Sequence, residues 1–429
     1  MKNRIRVLLL IVILLSVTFF AVSCKADSSD PILNDRFDLT NRVLDFIKNN
    51  YYDEIDYDML DLYATYGLVS GLGKYNYINP ISSFFGGSSD GKGFGLIVRN
   101  TKYNEHLIET ILPGSPFLAA SNGRTALRGD EIYAVNGNRL SGLDTSAYSS
   151  AISALPSDEE VIFTLKRGEE KFDVSYSKID FDFPYCIYID HLNGVPEDFG
   201  YISIRTFEAT EDQKVETEFA AAVRSFNQDG NKALILDLRG NGGGSGEVFR
   251  KVASALIGAY QKDDTLLEIH YVKEDVYESI SSVEVADRID TDIVSIYVLC
   301  DGQTASASEA LIGTMKAHGT LTALIGQKTV GKGVAQNGFS PYGITSSKGY
   351  VVDKALDKEG NEIDFGYYLV QVVIGEYYIY DKSAEGGKYC MHGKPFVPDI
   401  SVTEDTVVSP DYSLDPYIRA AIESFEANK

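Results

Sequence analysis

Histidine and cysteine, the side chains of zinc sites, are few and scattered in this chain. Its five histidines, at 106, 191, 270, 318 and 392, stand singly, and no HExxH or comparable zinc pattern occurs. After Cys24 there remain Cys186, Cys300 and Cys390, which allow at most one bridge and share no metal-ligand spacing. A metal site is therefore not expected. Positive charge is also short. The 39 Lys and Arg against 62 Asp and Glu leave a net charge of −23, which argues against nucleic acid as a partner and against electrostatic docking on anionic lipid. Long apolar runs are missing except for one at the N-terminus. Tryptophan is absent, and nothing functional follows from that. What remains, 44% hydrophobic and 24% charged over 429 residues, has the composition of a globular protein of two or three domains.

The one apolar run is VLLLIVILLSVTFFAV, preceded by Lys2, Arg4 and Arg6 and followed by Ser23-Cys24. A basic start, an apolar stretch too short to span a membrane and a small residue before the cut predict a secretory signal peptide over 1–23. The segment AVSC resembles the bacterial lipobox, which makes Cys24 the expected lipidation site and 24–30 a polar, lipidated tether. The expected place is the bacterial cell envelope, with the chain anchored to a membrane by lipid and facing the periplasm or the exterior.

Residues 31–87 predict a helical region, with Leu39, Val43, Leu44, Phe46 and Ile47 at helical spacing. GGSSDGKG at 86–93 then breaks the pattern. Short strands punctuated by Gly and Pro, around a helix-like AYSSAISAL, mark 88–178 as a small β-rich module. Within it, GFGL (Gly93, Phe94, Gly95, Leu96) resembles the carboxylate-binding loop of PDZ domains, and RGDEIYAVNG, farther on, resembles that family's second conserved stretch. The likeness implies a loop whose backbone N–H groups hold a peptide's terminal carboxylate, beside a strand edge that pairs with the peptide. From 179 to 429 near-continuous apolar strands alternate with amphipathic helices, as in a mostly parallel sheet covered on both faces. The expected fold class is thus multidomain α/β: a helical segment, a PDZ-like module and an α/β core.

In such a sheet ligands gather beyond the carboxyl ends of the strands, where RGNGGGSGE, DGQTASASE and GQKTVGKG fall. The first misses the G-x-G-x-x-G dinucleotide pattern and offers instead backbone N–H groups at a helix start, suited to an oxyanion. The second places Ser308 as a helix cap and Ser306 one step out, where its hydroxyl faces the loops. The third nearly spells a phosphate-binding loop, but Gly333 stands where Ser or Thr should follow Lys332, and no helical pattern continues. Two further readings of Lys332 stay open on the residues alone: a solvated loop lysine, or a base for Ser306 with Gln336 on the same strand face to orient it. The second needs a neutral amine in an apolar setting.

LILDLRGNGGG, TASASEALIGTMK and IGQKTVGKGVAQ, in this order after a PDZ-like module, closely resemble the carboxyl-terminal processing (tail-specific) proteases. The likeness covers most of the chain after the tether, including GYISIRTF and KPFVPDISV. It implies that Ser306 is the nucleophile, Lys332 the general base and Gln336 the residue that orients it, with the N–H groups of Ala307 and Gly243 as the oxyanion hole. It further implies a serine endopeptidase acting on polypeptides with accessible C-termini, with neither metal nor organic cofactor. A catalytically silent peptide-binding protein of the same fold is the alternative, and a homo-oligomer is left open. Departures from the pattern are Val330 in place of a frequent Phe, one extra residue near Gly319-Thr320, and a longer segment after Gln336. None touches Ser306 or Lys332.

Overall fold

The computed structural model describes residues 38–51, 55, 57–80, 92–209, 212–257, 264–339, 368–381 and 384–429. The expected signal peptide, Cys24 and its tether lie outside the described residues, as does most of the long segment after Gln336. The chain divides into two units, Met1–Leu68 and Val69–Lys429. The described part of the first is helical, Asp38–Asn50 and most of Tyr57–Ser70, and Leu39, Val43 and Phe46 are exposed on it.

Among its described residues the second unit has three six-stranded sheets and a two-stranded one that pairs Lys92–Gly93 with Ile179–Asp180. The mixed core sheet runs Cys186–Ile189, Phe199–Ile204, Ala233–Asp237, Ser295–Cys300, Ala323–Gly326, Ile400–Ser401. Only its first pairing is antiparallel. Strand alternation divides its side chains between two cores. Leu234 and Leu236 pack on one face with helices Lys214–Asp229, Gly246–Leu256 and Ala307–Ala317. Ala233 and Ile235 pack on the other with Tyr417, Ile418, Ala421 and Phe425 of helix Pro416–Ala427. This is the parallel sheet covered on both faces that the apolar runs predict. Cys300 is buried in the first core, and the three later cysteines are all free.

A second, antiparallel sheet was not legible. Its long strand, Tyr368–Tyr380, pairs with Thr265–Tyr271, Val334–Phe339, Lys388–Cys390 and Tyr77–Pro80. Residues 77–80 were expected inside the helical region ending at 87. They form a strand because Tyr77 finds its partner at Gln371, far along the chain, where local periodicity carries no information.

The third sheet lies within the β-rich module: Leu96–Asn100, His106–Ile111, Glu131–Val135, Glu160–Arg167 and Glu170–Ser177, in that order and antiparallel. Ile108, Phe117, Phe163, Leu165 and Val174 form its core. Helix Thr145–Ser153 closes it, capped by Asp144, whose side chain accepts the Ala147 N–H at 2.8 Å.

Candidate active site

The three loops singled out above converge at the carboxyl ends of the core strands, and Thr304 pins them together. Its hydroxyl donates to the Leu238 carbonyl at 2.9 Å, and its own carbonyl accepts the Val330 N–H at 3.1 Å. Asn241, fully buried, adds a second pin. Its carbonyl accepts the Ala305 N–H at 3.0 Å and the Ser308 hydroxyl at 3.1 Å, and its side-chain amide donates to the Ile204 carbonyl at 2.8 Å. Ser308 is thus inside the helix, bonded to Asn241, and the capping position belongs to Ser306.

Ser306 is 7% exposed and holds φ 58°, ψ −118°, a region that costs a non-glycine residue about 1–3 kcal/mol. Ala307 opens helix Ala307–Ala317, so its N–H lies outside the intrahelical ladder. Gly243, φ +102°, lies directly against this turn: a Cβ there would stand 2.6 Å from Ser306 Cβ and 2.9 Å from Ala307 N. Only glycine fits. The structure therefore brings Gly243, Ser306 and Ala307 together, but the Gly243 N–H donates to Asn241 Oδ1 at 2.9 Å and is not free for an oxyanion.

Glu309, the residue that sequence reasoning passed over, joins the serine and lysine loops. It is fully buried at the third position of the Ser306-capped helix. Its Oε2 accepts the N–H of Ser306 at 3.1 Å and of Lys332 at 2.8 Å. Its Oε1 accepts the Gly331 N–H at 2.7 Å and the Thr329 hydroxyl at 2.5 Å. The near phosphate-binding loop is thus a nest for an internal carboxylate, which occupies the donors that a nucleotide phosphate would need. Gly333 has a different reason: a Cβ there would stand 2.3 Å from the His392 nitrogen, so the residue is set by a passing chain. The signal for Glu309 was present in the text as S-x-x-E, the capping-box spacing at Ser306 to Glu309.

Lys332 is half-buried. Burial pushes its amine below the ordinary 10.5, and the Glu309 carboxylate pulls the other way. Its setting is therefore not wholly apolar, because Glu309 arrives from another element. Its amine stands 5.9 Å from the centre of the Tyr75 ring. Gln336 does not meet the expectation of a lysine-orienting amide in this conformation. Its Nε2 donates to the Tyr75 carbonyl at 2.5 Å, on a strand paired with Tyr368–Tyr380. Tyr75 comes from just ahead of strand Tyr77–Pro80 and was not foreseen.

In the β-rich module, Gly93 pairs with Ile179, while Phe94 is buried against Phe163, ring centroids 4.9 Å apart. The Phe94 carbonyl accepts the Ser115 hydroxyl at 2.7 Å, and the ring of Phe181 lies against Gly95. Gly93, Phe94 and Leu96 line a cleft of about 1130 Å³ that is also lined by Gly240 and Gln303, from the two loops that meet at Ser306.

Residues 198–366, which hold the serine and lysine loops and this shared carboxylate, match the model of peptidase family S41. A probable CtpA-like serine protease of Staphylococcus aureus (strain N315) is 29% identical over 301 residues, 68% of this chain and 56% of the relative. The chain thus spans little more than half the length of that relative. The carboxy-terminal processing protease CtpA of Bacillus subtilis (strain 168) is 25% identical over 383 residues, 85% of this chain and 76% of the relative. A solved putative S41 protease from Bacteroides fragilis NCTC 9343, 18% identical, covers 89% of this chain and 92% of its own, with a TM-score of 0.55, and shares the fold. The fold class expected from the sequence, mixed α/β, is the one found.

Proposed function

We propose that the chain is a serine endopeptidase of the carboxyl-terminal processing type, in which Ser306 attacks the scissile carbonyl and Lys332 takes its proton. The reading is supported most by one contact set: a single buried carboxylate, Glu309, accepts the backbone N–H of both Ser306 and Lys332, which ties the nucleophile's turn to the base's loop. A half-buried lysine with a lowered pKa is the kind of amine that can act as a base. The proton leaves Ser306 for the Lys332 amine as the acyl-enzyme forms, and the leaving amine of the substrate takes a proton in turn. Water then enters, and Lys332 assists its attack on the ester. The Ala307 N–H faces the developing oxyanion. Gly243 supplies the second donor when its N–H exchanges Asn241 Oδ1 for that oxygen. Gln336 orients the lysine after releasing Tyr75.

The PDZ-like module, 88–178, receives the carboxyl end of an extended polypeptide at Gly93–Leu96, and the core, 179–429, cuts it. Cys24 carries lipid that holds the chain at a bacterial membrane. Detergent phase partition tests that part: Cys24→Ser should move the protein to the aqueous phase, and continued partition with detergent would refute lipidation there.

The deciding experiment incubates the chain, Ser306→Ala and Lys332→Ala with unstructured polypeptides of varied C-terminal tails and reads products by mass spectrometry. Cleavage by the unsubstituted chain alone supports the pair. Equal cleavage by all three refutes it. The second reading, a peptide-binding protein that does not cut, is favoured by the Gly243 N–H on Asn241 and the Gln336 amide on Tyr75. Binding of tails without cleavage over a range reaching alkaline pH would establish it.

A further inference from the structure

The chain is acidic as a whole, yet the cleft between the Gly93–Leu96 loop and the Ser306 loops is not. Seven cationic side chains line it against four carboxylates, in a protein of net charge −23. Six of the seven are already satisfied. Lys92 pairs with Asp158 at 2.5 Å, Arg99 with Glu109 at 2.6 Å, and Lys214 with Asp182. Arg128 donates to the Ser409 carbonyl at 2.8 Å, and Lys178 to the Leu155 carbonyl at 2.8 Å. Arg239 is enclosed between Asp237 and Asp415.

Arg205 is the exception. It is exposed, and among the described residues its guanidinium makes no hydrogen bond or ion pair. The cleft walls still strip it of water, which lowers its pKa, and only the charge of Glu109, committed to Arg99, acts to raise it. An arginine in this condition favours an incoming anion.

Its position places that anion on the substrate path. Arg205 directly follows strand Phe199–Ile204, whose last carbonyl accepts the Asn241 side-chain amide. Two residues later Phe207 brackets the glycine loop: its N–H donates to the Gly243 carbonyl at 2.9 Å, and its carbonyl accepts the Ser245 N–H at 2.7 Å. Gly243 in turn lies against Ser306. A polypeptide lying in the cleft that Gly93, Phe94 and Leu96 share with Gly240 and Gln303 would lie beside Arg205, which lines the same cleft.

We infer that Arg205 is a specificity-determining residue that pairs with a carboxylate side chain of the bound polypeptide, so that the cleft selects acidic tails. The inference rests on the reading of the cleft as a path for polypeptide tails. Lysine at 205 keeps the charge and loses the two-pronged geometry; glutamate reverses the preference.

The test uses fluorescein-labelled ten-residue peptides with free C-termini that differ only in carrying Glu, Gln or Lys at alternate positions. Binding is read by anisotropy on the full chain with Ser306→Ala, which keeps the peptide intact. The Glu peptide should bind about tenfold tighter than the Gln peptide, the worth of one hydrogen bond to a charged group. Arg205→Ala should reduce that ratio to near one, Arg205→Lys should retain part of it, and Arg205→Glu should favour the Lys peptide. Lys316→Ala, which removes an outlying pair with Asp399, should change nothing. A Glu-over-Gln preference that survives Arg205→Ala, or no preference in the parent, overturns the inference. Cleavage of the same peptides with Ser306 restored reports separately on the peptidase reading. An Arg205-dependent preference without cleavage sinks the peptidase and leaves the subsite. Cleavage without any charge preference does the reverse.

Discussion

Glu309 accepts the backbone N–H of Lys332 at 2.8 Å, across 23 positions of sequence, from the third residue of the helix that Ser306 caps. The bond holds the lysine's main chain, not its amine, so its role is to fix where the side chain starts. Glu309→Ala strands the Gly331 and Lys332 N–H groups in a buried site. It should cost about 2–4 kcal/mol in urea unfolding, and activity should fall by more than the unfolded fraction explains. Glu309→Gln, which keeps the shape and two lone pairs, should cost about half as much. Full activity in Glu309→Ala with an unaltered unfolding midpoint would remove the carboxylate from this account.

Burial sets the direction of the pH response. Desolvation lowers the Lys332 pKa, and Glu309 offsets part of that. If the neutral amine is the base, kcat/KM must rise with pH and level off at an apparent pKa below the ordinary 10.5. The sign for stability agrees. Between the folded and unfolded pKa values the unfolded chain binds more protons, so stability also rises with pH across that window. A profile that is flat to pH 10, or that falls as pH rises, would exclude Lys332 as the base.

The topology was more legible than the site's internal wiring. Apolar runs such as ALILD and SIYVLC announce strands buried on both faces, and the three polar loops behind them had to fall at one end of the sheet. Ser306 and Lys332 stood out as candidates because each sits in such a loop, and their expected roles came from the resemblance to the carboxyl-terminal processing proteases. Hydrogen bonds made by a side chain to another loop's backbone leave no periodicity, so the reach of Glu309 to Gly331 and Lys332 was invisible even with its capping spacing in view. Asn241 was hidden for the same reason, inside a run of glycines. Gln336 shows the limit of the strand-period argument. The alternation needs 332–336 to be one regular strand, but the strand begins at Val334 and its register shifts between Ala335 and Gln336, and the amide meets Tyr75. Tyr75 could not be anticipated, because strand Tyr77–Pro80 exists only through its pairing with Tyr368–Tyr380.

Gly243 offers a steric test of how closely the glycine loop must approach the serine. In Gly243→Ala the new methyl would stand 2.6 Å from Ser306 Cβ and 2.8 Å from the Ala305 carbonyl, at a φ of +102° that L-residues avoid. Neither neighbour is the end of a flexible side chain, so the backbone must shift. We expect a loss of about 2–4 kcal/mol by thermal unfolding, in the range of core overpacking added to backbone strain, and a fall in kcat larger than the change in KM. Wild-type kcat in this variant would mean that the loop need not touch the nucleophile's turn.

The other end of that loop is held by charge. Arg239, whose side chain is 2% exposed, pairs with Asp237 at 2.6 Å and Asp415 at 2.9 Å, and its guanidinium lies 4.8 Å from the centre of the Tyr417 ring. Asp415 also caps the last helix by accepting the Tyr417 N–H at 2.9 Å. Arg239→Met keeps the volume and leaves two buried carboxylates facing each other without a cation, a loss of about 3–5 kcal/mol near neutral pH. The pH dependence distinguishes lost charge from lost packing. Burial pushes the Asp237 carboxyl up, but the Arg239 guanidinium more than offsets it and holds the group below its ordinary 3.8. That contribution to stability is complete above the unfolded value and lost as pH falls through the folded one. In Arg239→Met the Asp237 carboxyl loses that offset and takes up its proton at higher pH than in the parent, which relieves the repulsion. The stability difference between parent and variant should therefore shrink from pH 7 toward pH 4 in urea melts. A difference that stays constant over that range would assign the loss to packing against Tyr417 and not to the unpaired charges.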